Sequence, residues 1–187
     1  MHLAAELFGE LSAGDLVLVG ARPGHGKTLM SLRLAVEAMR AGHRSAFFSL
    51  EFNTGEMLGR FRAIGTDPAD FAHLFSFDNS DDISADYIID ALSTTPCGTL
   101  VVVDYLQLLD QKRSNPDLAV QVRALQAFAR ERALIIVFIS QIDRRYDPSA
   151  KPYPDLDDVR LPNPVDLGLF SKTCFLNNGE VRFQAAS

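Results

Sequence analysis

The residues best suited to chemistry lie in one short segment, Gly24-His25-Gly26-Lys27-Thr28. Glycine lets backbone N–H groups approach an anion closely because it carries no Cβ. A neighbouring lysine can pair with phosphate oxygens, and a threonine hydroxyl is a suitable ligand for Mg²⁺. We therefore predict a nucleotide site with Mg²⁺, whose binding residues are Pro23, Gly24, His25, Gly26, Lys27, Thr28 and Leu29.

The segments on either side of this turn have the patterns of a strand and a helix. The apolar run Leu16–Val19 precedes the turn, and apolar residues then recur at helical spacing up to Met39. A turn placed this way points its amides and the positive end of the helix at a bound phosphate. Ala21 stands where the usual phosphate loop has its first glycine. The alternative is a chance loop between a core strand and a core helix.

Glu51 follows a second predicted buried strand, residues 45–50. In open parallel sheets, ligands gather at the carboxyl ends of the strands. Glu51 is therefore a candidate for polarising a water molecule against a γ-phosphate. It could equally be a charge before the next helix, which Asn53 is predicted to cap together with Glu56. Position alone does not decide between these roles.

Asp104 ends a third apolar run, the β-branched segment 100–103. Such a run is typical of a strand covered on both faces. An acidic residue at its end, downstream of a phosphate loop, is predicted to hold Mg²⁺ or its water shell. The alternative is an ordinary turn residue or helix cap.

A fourth apolar run, Leu134–Ile139, ends in Ser140-Gln141. The uncharged Gln141 amide can hydrogen-bond a γ-phosphate or the attacking water and change partners after hydrolysis. The helix before this strand is predicted to have Asn115 as its cap and Pro116 as its first residue.

The last part of the chain combines a long loop with a hairpin. Residues 142–165 are rich in proline and aspartate, and a stretch of this kind is usually a functional or disordered loop. Arg144 and Arg145 are its only adjacent basic pair. Residues 167–176 and 180–184 are predicted to form a hairpin around an Asn-Asn-Gly turn.

Composition favours one globular domain over residues 1–187, since the chain is 47% hydrophobic and 22% charged. The net charge of −6 argues against a broadly basic nucleic-acid surface. Cys97 and Cys174 are far apart and no signal peptide precedes them, so a reducing, cytoplasmic setting is expected. No apolar run approaches the ~20 residues that cross a bilayer.

Phe71, Phe75 and Phe77 form an aromatic cluster that could stack on nucleic-acid bases. Acidic residues adjoin them in the sequence, at Asp78 and at 81–82. Because such charges oppose nucleic acid, a place in the core is the better interpretation.

Four segments together resemble the motifs of DnaB-type replicative helicases: Ala21–Thr28, Phe47–Glu51, Val103–Leu108 and Ser140-Gln141. The resemblance extends over about residues 8–187 and corresponds to the C-terminal, RecA-like ATPase domain of that family. It implies an α/β P-loop NTPase fold: a mainly parallel sheet with helices on both faces and a C-terminal β-hairpin. It also implies that the Gln141 strand lies between the phosphate-loop strand and the Asp104 strand.

The resemblance implies a role for each matching residue. Lys27 and Thr28 would bind phosphates and Mg²⁺, and Asp104 would be the Walker B acid. Glu51 would orient the attacking water, and Gln141 would sense the γ-phosphate. The expected cofactors are thus ATP and Mg²⁺, and the expected catalytic residues are Glu51, Lys27 and Gln141.

The chain also departs from the family. The family's N-terminal domain and linker helix are expected to be missing. Its motors usually hold DNA in the loop after Gln141, where this chain is rich in proline and aspartate and offers Arg144 and Arg145 as contacts for single-stranded DNA.

Family members carry a lysine and an arginine just before the hairpin turn, and these reach a neighbour's γ-phosphate. Here Phe175-Leu176-Asn177 precedes the turn, so this trans-acting cation is expected to be lost unless Lys172 or Arg182 replaces it.

Two functions follow from these observations. The first is a Mg²⁺-dependent ATPase of the DnaB-like helicase family, which as a DNA helicase motor would form a homo-oligomer, a hexamer. The second is a nucleotide-dependent regulatory or binding module that hydrolyses ATP slowly and does not unwind DNA.

Overall fold

The computed structural model describes residues 2–21, 27–104, 106–110, 112–141, 149, 167–177 and 180–185. The predicted phosphate-binding residues Pro23, Gly24, His25 and Gly26 lie outside the described residues. So do Arg144, Arg145, the rest of segment 142–165 apart from Ser149, and the tip of the predicted hairpin at 178–179.

Seven strands of the described residues form one sheet in the order β3-β2-β4-β5-β1-β6-β7. All neighbouring strands are parallel except β6 and β7, which form an antiparallel hairpin. The strands are β1 (Leu16–Ala21), β2 (Ser45–Ser49), β3 (Phe75–Asp78), β4 (Leu100–Asp104), β5 (Ile135–Gln141), β6 (Lys172–Asn177) and β7 (Glu180–Ala185). The arrangement confirms the predicted α/β fold and its C-terminal hairpin.

Helices cover both faces of this sheet. One face carries α1 (His2–Glu10), α2 (Lys27–Arg40) and α3 (Thr54–Ala63), and the other carries α4 (Ala85–Ala91) and α5 (Leu118–Arg132). Successive side chains of a strand point to opposite faces. Along β4, Leu100 and Val102 accordingly pack with the first group of helices, and Val101 and Val103 pack with the second. Among the described helices, none combines the length and apolar character needed to cross a membrane.

Strand register gathers the ends of β1, β2, β4 and β5 at one edge of the sheet, here called the C-terminal rim. Asp104 pairs with Ser49 of β2 and Ile139 of β5, and Gln141 pairs with Ala21 of β1. The strand ending in Gln141 therefore lies between β1 and β4, which confirms the order that the resemblance implies. Because side chains alternate along β4, Asp104 points to the face that carries α2.

Helix α5 begins later than predicted. Its first residue is Leu118 and its cap position is Asp117, so the prediction of Asn115 as the cap and Pro116 as the first helical residue was wrong. The Asn115 side chain instead donates a hydrogen bond to the Leu109 carbonyl, 3.2 Å away. A tertiary contact thus uses the amide that the local sequence pattern assigns to the helix end.

The short edge strand β3 was not predicted. It contains Phe75 and Phe77, and these residues together with Phe71 are half-buried against the core on the α2 and α3 face. The Phe75 ring lies edge-to-face on Phe61, with centroids 4.8 Å apart. This packing confirms a place in the core for the aromatic cluster.

The C-terminal hairpin starts later than predicted. Leu167–Leu169 form a short 3-10 turn, and β6 begins only at Lys172. Between them, the buried Phe170 ring lies edge-to-face on Phe138 of β5, with centroids 5.8 Å apart. This contact anchors the chain before the hairpin begins.

One buried side chain fixes the segment that follows Asp104. Gln121 is 2% exposed, and its Nε2 donates to the carbonyl oxygens of Leu109 and Pro116 at 2.7 and 2.8 Å. Its Oε1 accepts from the backbone N–H of Ala85 at 3.0 Å. Leu109 belongs to the 3-10 turn Leu106–Asp110, so one amide joins this turn to α4 and α5.

Replacement of Gln121 by leucine tests this network. We expect Gln121→Leu to lower the free energy of unfolding by about 2–4 kcal/mol, because one buried N–H and two carbonyls lose their partner. Urea unfolding followed by circular dichroism measures the change. Arg123→Gln, an exposed change on the same helix, should stay within about 0.5 kcal/mol of wild type. Equal stability of both variants would show that the network does not hold the turn.

Candidate nucleotide-binding site

One ammonium and two carboxylates converge at the C-terminal rim. Lys27 is the first residue of α2, and its Nζ lies 3.8 Å from Oε1 of Glu51. Asp104 is close enough that its charge acts on the pKa of Lys27. Lys27 is only 9% exposed and Asp104 only 1% exposed. Three predicted site residues from three separate segments are therefore neighbours in the fold.

Asp104 is buried, and neither of its carboxylate oxygens has a hydrogen-bond partner among the described residues. Burial is the main cause that raises its pKa to about 7; the charge of Glu51 acts in the same direction and the charge of Lys27 opposes it. A buried carboxylate with unused oxygens is costly unless a cation or a donor completes its surroundings. Its position at a strand end fits a ligand of a divalent cation.

The acidic groups of the site suit a metal that arrives with a nucleotide. Within the described residues, no group of three His, Cys, Asp or Glu side chains could hold a metal ion. Mg²⁺ usually takes one or two protein carboxylates and draws its other ligands from phosphates and water. Asp104 and the hydroxyl of the half-buried Thr28 fit that requirement. They do not fit a metal held by the protein alone.

Lys27 is suited to a polyanion. Burial lowers the pKa of its ammonium, and the charges of Asp104 and then Glu51 oppose that effect. A buried ammonium gains more from an added negative charge than an exposed one, because water screens the attraction less. The start of α2 also presents the positive end of a helix at the same place.

The segment that carries Glu51 is well defined. The Glu51 backbone N–H donates to the Ser49 hydroxyl at 3.1 Å. Asn53 caps α3 as predicted: its side chain accepts from the Glu56 N–H at 2.8 Å, and the Glu56 carboxylate accepts from the Asn53 N–H at 3.3 Å. Glu51 precedes this cap, and its carboxylate pairs with Lys27. This geometry favours a role in the site over a helix-end charge.

Gln141 reaches the same rim from the central strand. It is the last residue of β5, half-buried, and lies beside Ala21 at the end of β1. Ser140 points to the opposite face, where its buried hydroxyl has no hydrogen-bond partner among the described residues. On α2, Leu29 follows Thr28 and is 42% exposed. The structure thus places every described member of the predicted site at the C-terminal rim or at the start of α2.

Lys172, a candidate for the trans-acting cation, lies at the other edge of the sheet. Its Nζ donates to Oδ2 of Asp15 at 2.7 Å and to the Glu10 carbonyl. Lys172 pairs with Val17, four residues before the end of β1, which is about 13 Å from the C-terminal rim at ~3.3 Å per residue. Lys172 is thus committed to a partner in its own chain, and the expectation that it could serve a neighbouring subunit was wrong.

Two residues near the site were not found from the sequence. Ser49 was treated only as part of a strand, although its hydroxyl holds the Glu51 N–H. Arg60 was not considered, yet its guanidinium carbon lies 4.3 Å from the centroid of the Phe52 ring. The available signal was an aromatic residue directly after Glu51 and an arginine in the helix that follows.

This strand order, with Lys27 and Asp104 at one rim, defines a RecA-like ATPase fold. Two solved structures share it. One is an isolated ATPase domain, with a TM-score of 0.70 and 22% identity over 89% of this chain and 70% of that one. The other is a DnaB-like replicative helicase studied with primase, with a TM-score of 0.71 and 21% identity over 88% of this chain and 48% of that one.

The chain belongs to the DnaB-like helicase C terminal domain family, whose model matches residues 3–67 and 83–164. Among its relatives is the replicative DNA helicase DnaB of Leifsonia xyli subsp. xyli (strain CTCB07), 29% identical, with 86% of this chain aligned to 42% of that protein. The DnaB protein of Geobacillus stearothermophilus is 28% identical, with 81% of this chain aligned to 40% of it. The chain spans about two fifths of the length of these curated relatives. The family that the motifs resemble is thereby confirmed.

The raised pKa of Asp104 predicts a pH-dependent stability. The folded chain keeps the Asp104 proton up to about pH 7, whereas the unfolded chain releases it near 3.8. Stability from this group is therefore lost as the pH rises between those values. Relative to Asp104→Asn, the wild type should lose about 1–3 kcal/mol of unfolding free energy between about pH 5 and pH 7.5.

Urea titrations without nucleotide and with a metal chelator measure this difference. Asp90→Asn, which removes a carboxylate on α4, far from the rim, provides the matched control, and its difference from wild type should stay constant over the same interval. If the Asp104→Asn difference is also constant, Asp104 does not hold its proton in the folded chain.

Proposed function

We propose that this chain is a Mg²⁺-dependent ATPase unit of the DnaB-like helicase family, formed by a single domain over residues 1–187. The observation that carries the proposal is the convergence of buried Lys27, buried Asp104 and Glu51 at the C-terminal rim, beside the start of α2. An ammonium, a carboxylate with unused oxygens and a second carboxylate are the groups needed to bind and hydrolyse a triphosphate.

Each residue has a distinct role in this proposal. Lys27 pairs with the phosphate oxygens, and Thr28 and Asp104 hold Mg²⁺, which when bound neutralises charge on those oxygens. Glu51 accepts a proton from the attacking water, and Gln141 hydrogen-bonds the γ-phosphate. Lys27 and Glu51 lie 3.8 Å apart in the nucleotide-free chain, so phosphate binding would draw the ammonium toward the nucleotide and leave the Glu51 carboxylate for water.

Two substitutions separate binding from hydrolysis. We expect Lys27→Ala to weaken Mg·ATP binding by about 30-fold or more, because a buried charge contact is lost. We expect Glu51→Gln to keep binding within about threefold while phosphate release falls by about 100-fold or more, since an amide cannot accept the proton. Titration with a fluorescent ATP analogue and a phosphate-release assay measure the two effects.

Arg40→Ala, a change at the exposed end of α2, provides the control and should behave like wild type in both assays. The proposal fails if the wild type does not bind Mg·ATP. It also fails if Lys27→Ala binds as tightly as wild type.

One observation favours a regulatory or binding module over a DNA motor. Phe175 and Leu176 precede the hairpin turn, and both are buried in the sheet. Lys172 is held by Asp15 within the same chain. Loss of a trans-acting cation can cost about 10³–10⁵ in hydrolysis rate. In this second candidate function the chain binds ATP, hydrolyses it slowly and does not unwind DNA.

Protein concentration and DNA distinguish the two candidates. For the module, phosphate release per chain should stay constant within about twofold across a 100-fold range of protein concentration, because no neighbour completes the site. Single-stranded DNA should add nothing, whether through Arg144 and Arg145 or elsewhere. Size-exclusion chromatography with ATP, with and without a labelled oligonucleotide, provides the companion measurement. A hexamer that binds the oligonucleotide in a salt-dependent way and hydrolyses faster would establish the motor instead.

A further inference from the structure

The segment that carries Glu51 lies between the end of β2 and the start of α3, outside either element. The Glu51 side chain is 26% exposed, so the surrounding packing restrains it only in part. The Ser49 hydroxyl holds the Glu51 N–H on one side, and the Asn53 cap holds the chain on the other. Phe52 lies between Glu51 and that cap.

Phe52 has its own restraint from α3. The guanidinium carbon of Arg60 lies over the Phe52 ring, 4.3 Å from its centroid. A cation over an aromatic face at this distance is attracted by the ring quadrupole, and a planar guanidinium also stacks on the ring. A second restraint is apolar, because Phe52 packs half-buried against the core that includes Met57 and Phe61.

We propose that Arg60 is a positioning residue for Glu51, acting through the Phe52 ring. This inference rests on the proposed function. Phe52 is bonded directly to Glu51, so a ring held by both Arg60 and the core fixes the backbone from which the Glu51 carboxylate projects. Hydrolysis depends on the distance between that carboxylate and the attacking water, and a shift of about 1 Å can cost about 100-fold in rate.

The charge of Arg60 also reaches the site. It is among the groups that lower the pKa of Asp104, after the larger effect of Lys27. The guanidinium of Arg60 is thus within electrostatic reach of the rim. The neighbouring Arg62 is the matched comparison: it is exposed on the same last turn of α3 and lines a different cavity, with Met39 and Phe71.

Paired substitutions of similar size test the proposal in the full chain. Arg60→Gln removes the cation, and Arg60→Lys keeps it; Phe52→Leu removes the aromatic ring, and Phe52→Tyr keeps it. We expect Arg60→Gln and Phe52→Leu each to lower kcat for Mg·ATP by about tenfold while Kd for the nucleotide stays within about twofold. Arg60→Lys and Phe52→Tyr should keep at least about a third of the wild-type kcat, and Arg62→Gln should match wild type.

The double variant identifies the route of the effect. Arg60→Gln combined with Phe52→Leu should be no slower than the slower single variant within about twofold, because both remove one contact. In a Glu51→Gln background, Arg60→Gln should have no further effect on kcat. Multiplying losses, or a rise in Kd with unchanged kcat, would overturn the proposal, since Arg60 would then act on the nucleotide itself.

A measurement without turnover keeps the inference separate from the proposed function. Amide hydrogen exchange of residues 50–53 should be at least about fivefold faster in Arg60→Gln and Phe52→Leu than in wild type, and unchanged in Arg62→Gln. If the wild type fails to hydrolyse ATP, the proposed function falls and the exchange rates still decide whether Arg60 braces the segment. Unchanged exchange in Arg60→Gln overturns the positioning role whatever the activity.

Discussion

Burial of the Asp104 carboxylate next to the Lys27 ammonium is the constraint around which this molecule is arranged. Both groups are almost fully enclosed, and neither oxygen of Asp104 has a hydrogen-bond partner among the described residues. An uncompensated buried charge is costly, so the nucleotide-free protein keeps an unfavourable electrostatic arrangement at one rim of its sheet. A triphosphate with Mg²⁺ would complete it, because the cation satisfies Asp104 and the phosphates satisfy Lys27. Local instability is thereby coupled to ligand binding.

The parallel sheet makes this arrangement possible. Parallel strands covered on both faces place their carboxyl ends at one rim, and the residues that follow them escape the apolar layers. The central β5 lies between β1 and β4, so Gln141 sits between the phosphate-loop strand and the strand of Asp104. Regular alternation then directs Asp104 to the α2 face and Ser140 away from it. Strand order and side-chain parity together decide which polar groups meet.

The opposite rim shows how the chain departs from the family that it belongs to. Asp15 accepts hydrogen bonds there from Lys172, Ser171 and the Ser12 N–H, which tie the start of β1 to the start of β6. This network uses a lysine for internal cohesion. Near the hairpin turn, the chain places buried apolar residues instead of cations. The nucleotide-binding half of the motor is therefore well kept, and the means of coupling to a neighbour is reduced.

The sequence by itself determined the strands that end in Asp104 and Gln141, the capping box at Asn53 and the convergence of acidic residues at strand ends. These features depend on side-chain period and on contacts a few residues apart, which a sequence pattern records directly. Only the tertiary structure decided that Asn115 bonds Leu109, that Lys172 bonds Asp15 and that edge strand β3 pairs with β2. Each of these is a contact between segments brought together by folding. Local preference does not encode such contacts, because their energy depends on which surfaces the core leaves adjacent.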